Sequence, residues 1–579
     1  MNKKSRMISD YDLAVFFLEK VDKDVIIQEI FQLFGMDCMV RCCIDSGKLD
    51  DLILQFEKEE HTDLTKSQVT EKSENVQKQE IELLTQIIEL IRTGKDSFEK
   101  RETDLLDEIK DYIILHLAEE ISVQEIAAAF HISYHYLCHF FKMQTGMSLG
   151  SFRQQKRMEA ALRELSTTDK KISDIAAECG FNSSSYFTEQ FTKLTGMPPK
   201  EFRKQTENVC VHDFYTYEDI LLAAKYESVS FLADTIEILD DEAVESVAVC
   251  EPDEQFGFLH EAAVIEYEGV MYASWYHNPK AELQGYTPIC GKRSFDGGKT
   301  WTELEILAED PTEKILYCPP VYGICDGRLY MFVNQMVAPD HMHALDLYVL
   351  NRESGKFEFL WSRPIPFKLN TNVVKLPNGK LMLPGRVAEL DCFPNTPAVM
   401  ISDSGKMDAE WRLVKVAENG DLADGTRLVH PEISAICHED VLYLFSRNDL
   451  RNVPLVYVSK DQGETWSQAM SHDIPYRSSK IYSGTLSDGR NYLIANVDVQ
   501  DRSKLVVYFT GKDTMQFEKC IVLYDREHIE DYSDMQDVFT CHYPAACESD
   551  GKLYIIATKG YKEWGHRGAQ LYIVDMKRV

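Results

Sequence analysis

Six short phrases of one kind punctuate the second half of the chain: YEGVMY, CDGRLY, PNGKLM, HEDVLY, SDGRNY and SDGKLY. Their central residues, Gly269, Gly327, Gly379, Asp440, Gly489 and Gly551, fall about 50 to 60 residues apart. Each phrase reads as strand, tight turn, strand, the signature of a β-hairpin. A single hairpin cannot bury its own apolar face. Six of them at one period therefore require radial packing, and the spacing predicts a six-bladed β-propeller over residues 246–579.

Two longer near-copies lie within this region, SFDGGKTW at Ser294–Trp301 and SKDQGETW at Ser459–Trp466. They end the first and fourth repeats as turns. Their Asp side chains can bond turn amides, their Gly residues open the backbone, and their Trp rings pack between sheets. The shared S-x-D-x-G-x-T-W pattern resembles the Asp-box of the sialidase superfamily, with weaker relatives at SDSGKMDAEW and GKDTMQF. In that superfamily the boxes lie on the rim, away from the chemistry.

The resemblance implies a site on the propeller axis. There, three arginines clamp a carboxylate, a Tyr with a Glu partner acts as nucleophile, and an Asp serves as acid/base; bidentate Arg binding explains the clamp. HPEISAICHEDVLYLFSRN places Glu432 and Arg447 at the family's Glu and one clamp arginine, and Tyr543 in CHYPAACESDGKLY falls at the nucleophile. Arg502 is a further clamp candidate. The FRIP-like phrase carrying the first arginine is missing, and GFLHEAAV stands there with His260 and Glu261. No clear Asp precedes GKRSFDGG, where Glu282 is the nearest carboxylate. Tyr543 and Glu432 are thus the catalytic candidates, with Arg447, Arg502, His260 and Glu261 the ligand-binding ones. Hydrolysis requires an acid and a second carboxylate or Tyr. A glycosidase, a ligand-binding propeller and a scaffold for another protein all stay open.

Upstream, the texture is helical. In EEISVQEIAAAFHISYHYLCHFFKMQTG an apolar-faced stretch precedes a brief turn and a helix starting near Ser133. This is the arrangement of a helix-turn-helix, in which a short helix braces a second whose outer face enters the major groove. It recurs in KISDIAAECGFNSSSYFTEQFTKLTGMPPKEFRK. Here Ile175, Ala176 and Cys179 form the inner face, Gly180 permits the turn, and Ser183 or Ser184 caps the next helix. Phe187, Phe191 and Leu194 are expected to face the core. Ser122, Ser133 and Ser173 read as N-caps and Gly146, Gly180 and Gly196 as helix stops. LGSFRQQKRMEAALREL reads as the linking helix.

Two such units, with IA..CGF, YF...F, TGMPP and FR in this order, resemble the AraC/XylS family of bacterial transcription regulators over about 100 residues. The resemblance implies base-facing positions at His135, Cys138 and His139 in the first unit, with Tyr134 beside them as a further DNA-binding residue. In the second they are Ser184, Ser185, Thr188 and Glu189, while Lys142, Tyr186 and Lys193 approach phosphates. Glu189 suits a cytosine amino group; no arginine stands at these positions, so strong guanine readout is not expected.

A formal net charge of −33 excludes the whole molecule as a nonspecific polyanion binder. Between Leu105 and Lys204, however, twelve Lys or Arg stand against thirteen Asp or Glu, so the helical segment repels DNA least. Fifteen scattered cysteines suit reduced thiols in a cytoplasm, and Cys38, Cys42 and Cys43 lack the partners a metal site needs. The N-terminus makes a poor signal peptide, and no apolar run reaches membrane-spanning length.

The reading is a multidomain α plus all-β chain. It comprises a helical interaction or linker region over 1–104, an AraC-type double helix-turn-helix over 105–205, a connecting helical link over 206–245, and the sialidase-like propeller over 246–579. It implies a cytoplasmic, sequence-specific transcription regulator whose propeller senses a sugar or glycan fragment; the alternative is a glycoside hydrolase carrying a DNA-binding module. Promoter DNA is the implied partner, with RNA polymerase and a second copy as further ones. No cofactor or metal is expected.

Overall fold

The structure is a computed structural model. It describes residue 87 and residues 105–579, apart from 207–211, 213–214, 241–242, 339–340, 388–394, 418–424, 426, 477, 498–501, 527–537 and 562–564. The expectations for 1–104, including the three clustered cysteines, lie outside the described residues. The chain divides into two compact units, one running to Arg157 and including Ala177–Phe181, the other made of Met158–Ala176 and Asn182–Val579.

In the first unit a helix over 105–115 packs with α1 (Val123–Ala129) and α2 (Tyr134–Thr145). Ser122 and Glu125 close a capping box on α1, satisfying amides that a helix start leaves orphaned. Ser133 caps α2 by accepting from Tyr136 N (3.1 Å), and Gly146 ends it at φ 74°. Ile109, Ile113, Ile126, Leu137, Phe140 and Phe141 form its core. Gly180 belongs to this unit. At φ +80° a Cβ there would lie 2.6 Å from the Leu117 carbonyl oxygen, so the tight turn admits no side chain.

The linking helix α3 spans Leu149–Thr167, followed by α4 (Ile172–Glu178), α5 (Ser184–Thr195), α6 (Pro199–Thr206) and α7 (Tyr217–Ala223). Ser183 caps α5, while Ser173, expected as a cap, is the second residue of α4 and bonds Asp174 instead. Phe187 and Phe191 are buried against Phe202, but Leu194 is 41 % exposed. It shares the stripe of Phe187 and Phe191 but sits in the last turn of α5, where the buried face ends.

Residues 228–575 form six sheets of four or five strands, one per repeat. The hairpin phrases join the first and second strands of each blade. Glu268–Gly269, Asp326–Gly327 and Asp550–Gly551 take positive φ at both positions, as two-residue turns matching strand twist do. Gly379 and Gly489 instead close three-residue loops, and the fourth turn places Glu439 at φ 52° without a glycine. Between blades the apolar faces interlock, as where Trp275, Ile555 and Leu571 share one buried cluster.

The segment expected to be a helical link is helical only in α7, among its described residues. Thereafter it runs as β1 (Ser228–Val229), β2 (Leu232–Leu239) and β3 (Val244–Cys250). β1 and β2 add parallel strands to the outer edges of blades 4 and 5, and β3 is the outermost strand of blade 6, antiparallel to Arg567–Asp575. The ring is therefore closed by a strand that precedes blade 1 in sequence. Covering these edges removes unpaired backbone groups. The pattern SVSFLADTIEIL carries no mark of this, because its partners are more than 200 residues away.

Strands alternate in direction within a blade. The starts of first and third strands and the ends of second strands thus meet at one face, leaving hairpin turns and Asp-boxes at the other. Both boxes form as expected: Ser294 and Ser459 accept from Gly298 N and Gly463 N, and Asp296 and Asp461 accept from Thr300 N and Thr465 N at 2.9 Å. No helix among the described residues is long and apolar enough to cross a membrane.

Candidate functional site

At the face opposite the Asp-boxes, five blades send polar side chains to the axis. Glu432 precedes the first strand of blade 4 and Arg447 follows its second, so the hairpin brings them together. Arg447 Nη1 donates to Glu432 Oε2 (2.8 Å) and to the Tyr543 hydroxyl (3.0 Å). Arg386, from the second strand of blade 3, lies 3.6 Å from Glu432 Oε1. Glu432 is 3 % exposed.

Tyr543 and Glu261 occupy matching irregularities. Each sits where its blade's first strand breaks register, between His542 and Ala545 in blade 6 and between His260 and Ala263 in blade 1. Each has a left-handed backbone, at φ 55° and 49°. Arg502, just before the third strand of blade 5, is a third at φ 62°. Such conformations cost about 1–3 kcal/mol in non-glycine residues and mark places where side-chain direction matters.

The sequence candidates do not all meet. Glu432, Arg447 and Tyr543 form one hydrogen-bonded group. Arg502 stacks over the Tyr543 ring at 5.3 Å and donates to the Ser478 carbonyl (3.3 Å). His260 packs on the same ring at 4.2 Å and shares a hydrogen bond with Thr558 Oγ1 (3.2 Å). Glu261 is tied to Lys480 Nζ (2.7 Å), with the Cys318 thiol 3.7 Å away. Glu282 is exposed and accepts from the Tyr276 hydroxyl at 3.0 Å. Arg386, Lys480 and Arg567 escape sequence reasoning: LMLPGRV reads as plain strand, and no motif surrounds the other two.

Burial opposes the Glu432 charge, but Arg447, Arg386 and Lys480 outweigh it and hold the carboxyl down at about 2. Burial and the Glu432 charge push the Tyr543 phenol up to about 12, against Arg447 and Arg502. His260 and His542 are driven well below the usual imidazole value, by burial first and then by Arg567 and Arg502 among other neighbours, and stay neutral. The axis gathers five cations, Arg386, Arg447, Lys480, Arg502 and Arg567, against two buried carboxylates. In so acidic a chain this excess suits an anion. Among the described residues no cluster of three metal-ligating side chains exists.

On the helical side, Tyr134, His135, His139 and Lys142 are exposed on α2, and Cys138 is half-buried. On α5, Ser184, Ser185, Tyr186, Glu189 and Lys193 are exposed, while the half-buried Thr188 donates its hydroxyl proton to the Ser184 carbonyl (2.8 Å). The Thr188 hydroxyl proton is thus engaged within the helix. Ser184, Ser185, Glu189 and Lys193 edge one shallow concavity.

Residues 126–205 match a family described as a helix-turn-helix domain, and residues 271–555 one described as a BNR repeat-like domain. A Staphylococcus aureus protein described as an uncharacterized HTH-type transcriptional regulator is 31 % identical over 168 residues, 28 % of this chain and 23 % of its own length. Escherichia coli K12 YijO, described in the same words, is 34 % identical over 105 residues, 18 % of this chain and 37 % of its own. The chain thus spans well under half the length of these relatives. Among solved structures, a Dyadobacter fermentans protein of unknown function is 15 % identical with a TM-score of 0.46, covering 58 % of this chain and 99 % of that one. The Trypanosoma rangeli sialidase is 15 % identical with a TM-score of 0.44, covering 57 % and 59 %. The chain joins an AraC-type helix-turn-helix domain to a BNR repeat-like, six-bladed β-propeller.

Proposed function

We propose that the protein is a transcription regulator that binds promoter DNA through its helix-turn-helix units and takes an anionic saccharide at the propeller axis as effector. The excess of axis cations over carboxylates carries the second half of this reading. Binding is favoured over hydrolysis because both buried carboxylates are already ion-paired: Glu432 is held ionised, and Glu261 is locked to Lys480. An ionised Glu432 has no proton to give a leaving group.

A route toward the helices starts beside the site. The loop after Arg447 carries Asn452, whose backbone and side-chain nitrogens donate to the buried Asp219 of α7 at 3.1 and 3.0 Å. Asp219 also caps α7 with Thr216, and Arg163 of α3 donates to the carbonyls of His212 and Tyr215 just before it (both 3.3 Å). A ligand that favours one arrangement of this loop shifts the population of the helices it is bonded to.

Titration calorimetry of the full chain with free sugar acids tests the effector half. Binding that Arg447→Gln and Arg502→Gln abolish is expected; a full panel without heat would sink it. Glu282, exposed and hydrogen-bonded by Tyr276 where a glycosidase acid could stand, favours a second reading as a hydrolase. Turnover of aryl sialosides that falls to background in Tyr543→Phe would support that reading instead.

A further inference from the structure

Four of the five axis cations belong to the group around Tyr543, Glu432 and Glu261. Arg567 stands apart. It opens the third strand of blade 6, where its backbone N–H donates to the Gly257 carbonyl (2.9 Å). Its guanidinium lies 4.5 Å above the Phe258 ring, and Nη1 is buried without a hydrogen-bond partner. Among the described residues Arg567 makes no ion pair and no side-chain hydrogen bond.

Leaving a guanidinium donor buried and unbonded costs free energy, more than for a neutral polar group. A position that keeps such a donor invites an acceptor from outside the chain. Rings separate this donor from the Arg447 and Arg502 group: Phe258 meets His260 at 6.0 Å, and His260 meets Tyr543 at 4.2 Å. His260, held neutral, neither compensates Arg567 nor repels an anion. The axis thus offers two guanidinium centres, with an uncharged imidazole packed on the Tyr543 ring that the first of them contacts. One centre bonds the Tyr543 hydroxyl and stacks on its ring; the other is poised over Phe258.

We propose that Arg567 is the anchor of a second anion subsite, so that the ligand is a saccharide bearing two acidic groups, one at Arg447 and Arg502 and the other at Arg567. This rests on the axis being an anion-binding site. The first acid replaces water around Arg447 and Arg502, while the second supplies the acceptor that Arg567 Nη1 lacks. A monoacid would leave Arg567 unbonded and gain only the first contact.

Matched probes test this by calorimetry on the full chain: gluconate against glucarate, which add a second carboxylate to one carbon skeleton, and glucuronate against glucuronate 1-phosphate. Wild type should bind the member of each pair that bears two acidic groups about tenfold more tightly, the worth of one charge-assisted contact. Arg567→Gln should bring the two members within about twofold, with the monoacid unchanged, and Arg567→Lys should restore part of the difference. Equal loss for both members would place Arg567 in the first clamp, and no loss for either would remove it from the site; each result overturns the second subsite. If wild type binds none of the four acids, the axis reading itself fails and the subsite falls with it.

Discussion

Glu432 decides the charge balance of the axis, since it faces Arg447 and Arg386 from a position almost closed to water. Its carboxyl, depressed from an ordinary 4.5 to about 2, contributes stability that is fully present above pH 4.5. That stability is lost as pH falls toward 2, because only the unfolded chain binds the proton easily there. Thermal unfolding followed from pH 6 to pH 2 should show this loss in wild type and a flatter profile in Glu432→Gln. At neutral pH the variant should be less stable by about 3–5 kcal/mol, the usual cost of stranding a buried charge. An unchanged midpoint at pH 7 would mean that the pair is not buried in solution. At this scale the sequence was half legible. Glu432, Arg447 and Tyr543 stand out because each falls in a phrase with a fixed place in its repeat. Arg386, Lys480 and Arg567 do not, because only closure of the ring brings blades 3, 5 and 6 to one axis.

The elements divide in the same way. Hairpins and Asp-boxes were legible because turn chemistry is local: Gly or Asp at a set position determines the backbone, and the side chains that bond it lie within five residues. β1, β2 and β3 were not, since an edge strand is defined by a distant partner. The ring closure gives a sharp expectation. A fragment beginning at residue 226 should fold as a cooperative propeller, whereas one beginning at 252, lacking β1, β2 and β3, should leave the edges of blades 4, 5 and 6 open and unfold at lower temperature or aggregate. Equal melting of the two by circular dichroism would contradict the assignment. In the helical part, Gly180→Ala drives a Cβ toward the Leu117 carbonyl at positive φ and should destabilise its unit by about 1–3 kcal/mol in urea unfolding. Asn452→Ala removes the side-chain donor to Asp219 and keeps the backbone one. It should leave saccharide affinity and DNA affinity intact while weakening the effect of one on the other, and a fully preserved response would count against this loop as the route.

Over the whole molecule, the acidity of −33 lies mostly outside the helix-turn-helix segment, so the proposed DNA contact falls on the near-neutral segment that repels DNA least. Lys142 and Lys193 are exposed on the outer faces of α2 and α5, and the salt dependence of binding should accordingly be shallow. On the proposed reading, a ligand-accepting axis and a DNA reader stand on the same chain. The most direct test is the affinity of the full-length protein for its own upstream DNA at one stated salt concentration, with and without acidic saccharides that bind the axis. The account predicts specific binding that such a saccharide shifts several-fold in wild type and not in Arg447→Gln. Specific binding that no axis ligand alters, or no specific binding at all, would contradict it.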